Sequence, residues 1–195
     1  MVDTTLTILV IDDNPVRSAI LEEGLREAGH VNVVRLDTTH ELLRRIWQID
    51  PDVVLIDLAD PSRDVLEQMF QVSRMVKRPI AMFVDQSDTS MIEAAVDAGV
   101  SAYIVDGLKK ERVKPILDMT VSRFNAFDRL SRQLDEARSE LAERKLIERA
   151  KGILMKSRGI AEEEAYGMLR KTAMNEKKKL SEIAQSVVTA AQLLG

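Results

Sequence analysis

The sequence predicts an α/β protein: a (βα)5 doubly wound parallel sheet, followed by a coiled-coil helix and a small three-helix bundle. Three observations point there. Up to about residue 117, short apolar runs alternate with segments of helical periodicity. A stretch beginning at Leu117 then repeats apolar residues at 3-4 spacing without a proline. Residues 144–195 are basic and carry Ala, Leu and Ile at helical spacing.

The strand candidates are "LTILVID", "HVNVVRL", "DVVLID", "PIAMFV" and "AYIVD". They are short, rich in Val and Ile and almost wholly apolar, as parallel strands covered on both faces must be. Between the first two, "PVRSAILEEGLREAGH" places Val16, Ala19, Ile20 and Leu25 on one broad face, with Gly29 available for a left-handed cap. After the second, "THELLRRIWQIDP" aligns Leu42, Leu43, Ile46 and Trp47 and stops at Pro51. In such a sheet the functional crevice lies at the carboxyl ends of the strands.

Phe127, Leu130, Leu134, Ala137 and Leu141 follow coiled-coil spacing. The seam is too short to hold two chains by itself, so it is expected to join copies already associated elsewhere; a long helix packed back on its own domain would use the same residues. The bundle is expected from the continuation of that helix to Gly159, a second helix over about 161–175 led by Glu162, Glu163 and Glu164, and a third capped by Ser181. The expected division is a domain over 1–120, a linker helix over 121–143 and a terminal domain over 144–195.

Charge separates the two ends. Residues 1–143 hold 17 basic and 26 acidic side chains, whereas 144–195 hold 11 basic and 6 acidic. A basic tail on an acidic body suggests a polyanion-binding module attached to a domain that is not one. The absence of cysteine excludes disulfides and thiolate sites, and two histidines leave little for an imidazole metal site. No apolar run approaches the roughly 20 residues of a membrane span, and "MVDTTLT" lacks the parts of a signal peptide, so the protein is expected in the cytoplasm and off membranes.

The acidic pair Asp12 and Asp13 ending the first strand, with Asp57 ending the third, resembles the bacterial response-regulator receiver over about residues 5–120. The resemblance implies Mg²⁺ held at Asp12, Asp13 and Asp57, with Asp57 the phosphoacceptor. A dication among three carboxylates would neutralise a transferring phosphoryl group. Two parts of the pattern are absent. Where receivers carry Thr or Ser after the fourth strand, "IAMFVD" puts Val84. Where they carry Lys-Pro after the fifth, "AYIVDGL" puts Asp106 and Gly107. Each added like-charge pair at about 4–6 Å costs on the order of 3–4 kcal/mol at an effective dielectric near 20. Asp57 is therefore read as a phosphoacceptor in position only, in a pocket made over-acidic by Asp12, Asp13 and Asp106. No cofactor is required on this reading, although Mg²⁺ without phosphorylation stays compatible with the cluster, as do carboxylates merely facing water. Tyr103 falls at the switch-aromatic position of receivers, or is an ordinary half-buried strand tyrosine. Without phosphorylation, a protein partner gripping the domain is the natural input.

The run "RKLIERAKGILMKSRGIAEEEAYGMLRKTAMNEKKKLSEIAQSVV" resembles the ANTAR domain, the RNA-binding output module of AmiR- and NasT-type antiterminators. It implies a regulator that binds paired hairpin loops of a nascent leader mRNA and prevents terminator formation. Arg144, Lys145, Arg149, Lys151, Lys156, Arg158, Arg170 and Lys171 are the candidate RNA contacts. Lys177, Lys178 and Lys179 fit either RNA or a solvated face. Gly152, costing about 1 kcal/mol relative to Ala inside a helix, suggests a close approach. Tyr166 could stack a loop base or belong to the core. Within the family, "MFVD", "AYIVDGL" and "RKLIERAKGILM" are most similar to the NasT type. That likeness implies nitrate or nitrite assimilation, and a NasS-like sensor protein that holds the antiterminator inactive. A homodimer through the coiled coil would present two RNA-binding modules. A phosphorylation-dependent two-component regulator with the same RNA output, and a protein-binding adaptor with an idle basic tail, are the alternatives. No residue pairs a nucleophile with a neighbouring base, so an enzyme is not expected.

Overall fold

The computed structural model describes residues 5–37, 41–58, 62–105 and 108–194. Asp106, Gly107 and His40 lie outside the described residues. The chain forms two compact units, residues 1–128 and 129–195.

In the first unit, β1 (Ile8–Ile11), β2 (Val33–Leu36), β3 (Val53–Leu58), β4 (Ile80–Val84) and β5 (Ala102–Val105) form one parallel sheet in the order β2-β1-β3-β4-β5. The intervening helices are α1 (Pro15–Glu27), α2 (Leu42–Ile49), α3 (Arg63–Met75) and α4 (Thr89–Asp97). Alternate strand residues feed two cores. Leu9, Ile11, Val54, Ile56, Met82 and Val84 face one side, and Ile8, Val10, Val53, Leu55, Ala81 and Phe83 the other. The central strands β1, β3 and β4 are thus buried on both faces, as their apolar runs require, while the edge strand β2 is only half-buried. Because Ile11 pairs with Ile56, the register brings Asp12, the residue after β1, beside Asp57, which lies within β3 and pairs with Phe83 of β4.

Two helix faces differ from the periodicity. In α1 the buried residues are Ser18, Leu21, Gly24 and Leu25, and Val16 is 69% exposed. Gly24 shares that face with the two leucines: a Cβ there would stand 2.9 Å from Val113 Cβ, so the close approach of α1 needs a glycine at this position. In α2, Leu42 and Ile46 are buried, whereas Trp47 is 72% exposed beside Met75 on a groove also lined by Pro51 and Val76. Gly29, at φ 92°, takes the expected left-handed conformation after α1.

The long helix begins earlier than the 3-4 seam suggested: α5 runs without a break from Lys110 to Arg158, through Pro115 in its second turn. Along it Phe127, Leu130, Leu134 and Leu141 are all exposed within one chain. In the second unit, α6 (Glu162–Glu176) and α7 (Leu180–Leu194) pack with the end of α5 around Ala150, Leu169, Ala173, Ile183, Ala184 and Val188. Gly159, at φ 65°, ends α5 as expected. Ser181 is not a cap, because it lies inside α7. The Glu182 carboxylate accepts from the Lys179 backbone N–H at 2.7 Å, the half of a capping box that reaches back, so the cap position falls at Lys179, two residues before Ser181. No helix among the described residues is long and apolar enough to cross a membrane.

Candidate functional site

The end of β1 and the start of α1 are built by "DDNP". The Asp12 carboxylate accepts from the Asn14 N–H at 2.8 Å, and Asn14 in turn caps α1 by accepting from the Val16 and Arg17 N–H groups. Pro15 occupies the first helical turn, where its missing N–H costs nothing. This pins Arg17 within the first turn, beside the carboxyl ends of the strands.

Arg17 supplies the counter-charge that the sequence reading found missing. Its Nε donates to Asp57 Oδ2 at 2.8 Å and its Nη2 to Asp57 Oδ1 at 2.6 Å, a two-pronged fork. Its Nη1 donates to both oxygens of Asp85, at 2.8 and 3.2 Å. The over-acidic pocket is thus corrected: a guanidinium from α1 closes on the β3 aspartate and on the aspartate following β4. The hydrogen bond to Asp57 is foremost in keeping Arg17 protonated. Burial pushes the Asp57 carboxyl above the ordinary carboxylate range, with the Arg17 fork pulling it back.

Asp12 is treated differently. It is 2% exposed, its Oδ2 has no hydrogen-bond partner among the described residues, and burial pushes its carboxyl up to about 6. Asp13 is exposed. Asp12, Asp13, Asp57 and Asp37, the last not singled out from the sequence, line a cleft of about 220 Å³.

The residues present do not fit a resident Mg²⁺. Both Asp57 oxygens face the guanidinium, and no group of three or more acidic or histidine side chains among the described residues is arranged to hold a metal ion. A dication about 4 Å from Arg17 would meet roughly 8 kcal/mol of repulsion at an effective dielectric near 20, enough to cancel the attraction of one carboxylate at the same distance. Val84 is fully buried in the core and offers no hydroxyl to the cleft. Tyr103 is half-buried on β5, its hydroxyl 3.1 Å from Ser87 Oγ.

In the second unit, Arg144, Lys145, Arg149, Lys156, Arg158, Arg170 and Lys171 are exposed, and none forms an ion pair among the described residues. Lys145, Arg149 and Lys156 share one face of α5 at helical spacing, with Gly152 between them. A Cβ on Gly152 would meet nothing within 4 Å, so no packing inside the chain explains this glycine. Lys151 points elsewhere. It is buried, with its Nζ 2.7 Å from Glu148 and 2.6 Å from Glu162 in the first turn of α6, and these carboxylates hold its ammonium above the ordinary lysine range. Tyr166 is 42% exposed and outside the core.

Comparison with known proteins agrees with this division. The response-regulator receiver domain family matches residues 8–118, more than half of the chain, and the ANTAR domain family matches residues 135–188. The chain is 28% identical over 181 residues to the transcriptional regulatory protein PdtaR of Mycobacterium tuberculosis, covering 93% of this chain and 88% of that one. It is 39% identical over 80 residues to the nitrate regulatory protein of Klebsiella oxytoca, which is 41% of this chain and 20% of that protein. In fold it is similar to a response regulator from Thermotoga maritima, with a TM-score of 0.52 and 19% identity, covering 60% of this chain and 98% of that one. The chain belongs to the response-regulator receiver family and carries an ANTAR domain after its receiver.

Proposed function

We propose that the protein is a transcription antitermination regulator whose ANTAR domain binds hairpin loops of a nascent leader mRNA. Its receiver would be controlled by a sensor protein and not by phosphorylation. The observation that carries the RNA reading is the exposed strip Lys145, Arg149 and Lys156 around the open Gly152. Unpaired cations on a rigid helix are suited to phosphates, and a residue without a side chain lets a nucleic-acid backbone come close. Arg144, Arg158, Arg170 and Lys171 flank the strip, with Tyr166 available for base stacking. Lys151, clamped between two carboxylates, positions α5 against α6 and is assigned no phosphate contact.

Control without phosphorylation is supported by the guanidinium closed over Asp57. The likeness to the nitrate regulatory protein supports nitrate or nitrite as the signal, delivered by a NasS-like sensor. The exposed seam Phe127, Leu130, Leu134 and Leu141 fits a homodimer that holds two RNA-binding modules at high effective concentration. The domains are then a pseudo-receiver over 1–120, a coiled-coil linker over 121–143 and the ANTAR domain over 144–195, acting in the cytoplasm without an enzymatic step.

Titration of the protein against a two-hairpin leader RNA and a scrambled one, over a range of salt, tests this. Preference for the hairpins by at least about tenfold is expected, and equal weak binding to both would overturn the reading. Replacing Lys145, Arg149 and Lys156 together by Ala should lower the salt slope by roughly 2. Gly152→Ala should raise chain stability by roughly 1 kcal/mol while weakening RNA binding, and Lys151→Met should leave the salt slope unchanged.

A further inference from the structure

We propose that Arg17 is the resident cation of the receiver crevice, a side chain that fills the seat of a divalent ion and keeps a latent metal site shut. The proposal deepens the reading that this receiver is not controlled by phosphorylation, and it rests on that reading.

Three features of the crevice point to it. First, one guanidinium satisfies four carboxylate contacts, two on Asp57 and two on Asp85, with donor–acceptor distances of 2.6 to 3.2 Å. A planar fork can bridge two carboxylates in this way, as a bound dication would; a lysine, with its single point charge, would be less well matched. Second, the arrangement is locally imposed. Asn14 and Pro15 start α1 so that Arg17 falls in its first turn, and Arg17 is only 18% exposed in its side chain. Third, the seat is incompletely filled. Asp12 Oδ2 is buried in the same cleft without a hydrogen-bond partner among the described residues, as a ligand atom would be if its ion had been replaced by a group that reaches only the other carboxylates. Arg17 thus bonds Asp57 and Asp85, offsetting one of their two charges, and makes no hydrogen bond to Asp12.

Removing the guanidinium should free the oxygens of Asp57 and Asp85 that it now occupies and deepen the negative charge of the cleft, since Asp12, Asp13, Asp57 and Asp85 would remain with no cation among them. The test is binding of Mn²⁺ alone to the full chain, followed by the loss of its free-ion magnetic-resonance signal. The wild type is expected to bind weakly and Arg17→Ala at least about tenfold more tightly. Adding Asp57→Asn to Arg17→Ala should abolish the gain, and Arg17→Lys should keep the site shut. Arg17→Gln serves as the uncharged variant if Arg17→Ala does not keep the wild-type helical circular dichroism. A folded uncharged variant that binds Mn²⁺ no better than the wild type would overturn this proposal and leave the functional reading standing. A gain that survives Asp57→Asn would overturn it likewise. Tight Mn²⁺ binding by the wild type would overturn it and also remove the support for control without phosphorylation.

Discussion

Arg17 in the receiver and Lys151 in the ANTAR domain each hold two carboxylates, yet they do opposite things with them. Arg17 is a largely buried fork on a fully buried partner: Asp57 has a side-chain exposure of 0%. Lys151 is a buried stem whose two partners, Glu148 and Glu162, are 59% and 63% exposed. In the receiver the carboxylate is the costly group, and the cation makes its burial tolerable. In the ANTAR domain the cation's alkyl chain is packed between α5 and α6 and its charge is led out to water by the glutamates. On the proposed reading the first pair decides what chemistry the crevice can host; the second joins α5 to α6. The same residue types at a family's functional positions therefore need their partners' burial before a role can be assigned.

If this contrast holds, Arg17→Ala should be the most damaging single change among the charged residues of the crevice, at roughly 3 kcal/mol in urea denaturation, because it leaves Asp57 buried without its partner. Adding Asp57→Asn should recover much of that loss, since the variant amide carries no charge to strand. Strictly additive effects of the two changes would break the contrast.

A smaller effect separates the two regions by pH. The Asp12 carboxyl is raised to about 6 by burial, so the folded receiver holds that proton more tightly than the unfolded chain. Its stabilising contribution is full below the ordinary carboxylate range and is lost as pH rises through about 6. Lowering the pH from 7 to 5 should therefore stabilise the receiver by about 1 kcal/mol through Asp12, and Asp12→Asn should remove that share of the response, leaving whatever the raised Asp57 carboxyl adds. Glu162 is shifted the other way: the hydrogen bond from Lys151 holds it below its ordinary range. The clamp in the ANTAR domain is consequently present above that range and is lost only as pH falls through the lowered value, leaving this unit flat between pH 7 and 5.

Much of the fold was legible because parallel strands announce themselves as short apolar runs. The runs containing β1, β3 and β4 read directly into the observed sheet, and Gly29 and Gly159 marked helix ends by their freedom at positive φ. Helix faces were less legible. Val16 and Trp47 have the right spacing for burial but lie in the open; α1 is seated by the contact of Gly24 with Val113, far away in sequence, which no spacing within α1 could announce. Of the crevice, the aspartates could be named from strand ends, but Arg17 could not, since its reach across 40 residues to Asp57 leaves no periodic trace. The signal that could have found it is local: Asn14-Pro15 fixes the helix start and so places the next cation one turn from the acidic pair. For Lys151 the clue was Glu148 three residues before it and the acidic run opening the following helix.

The central claim, that a guanidinium has closed the receiver crevice to its family's reaction, is tested most directly by weighing the intact protein after incubation with a small phosphodonor and Mg²⁺. The wild-type mass should be unchanged, because both Asp57 oxygens are held by Arg17. A single phosphoryl adduct that disappears in Asp57→Asn would contradict the account.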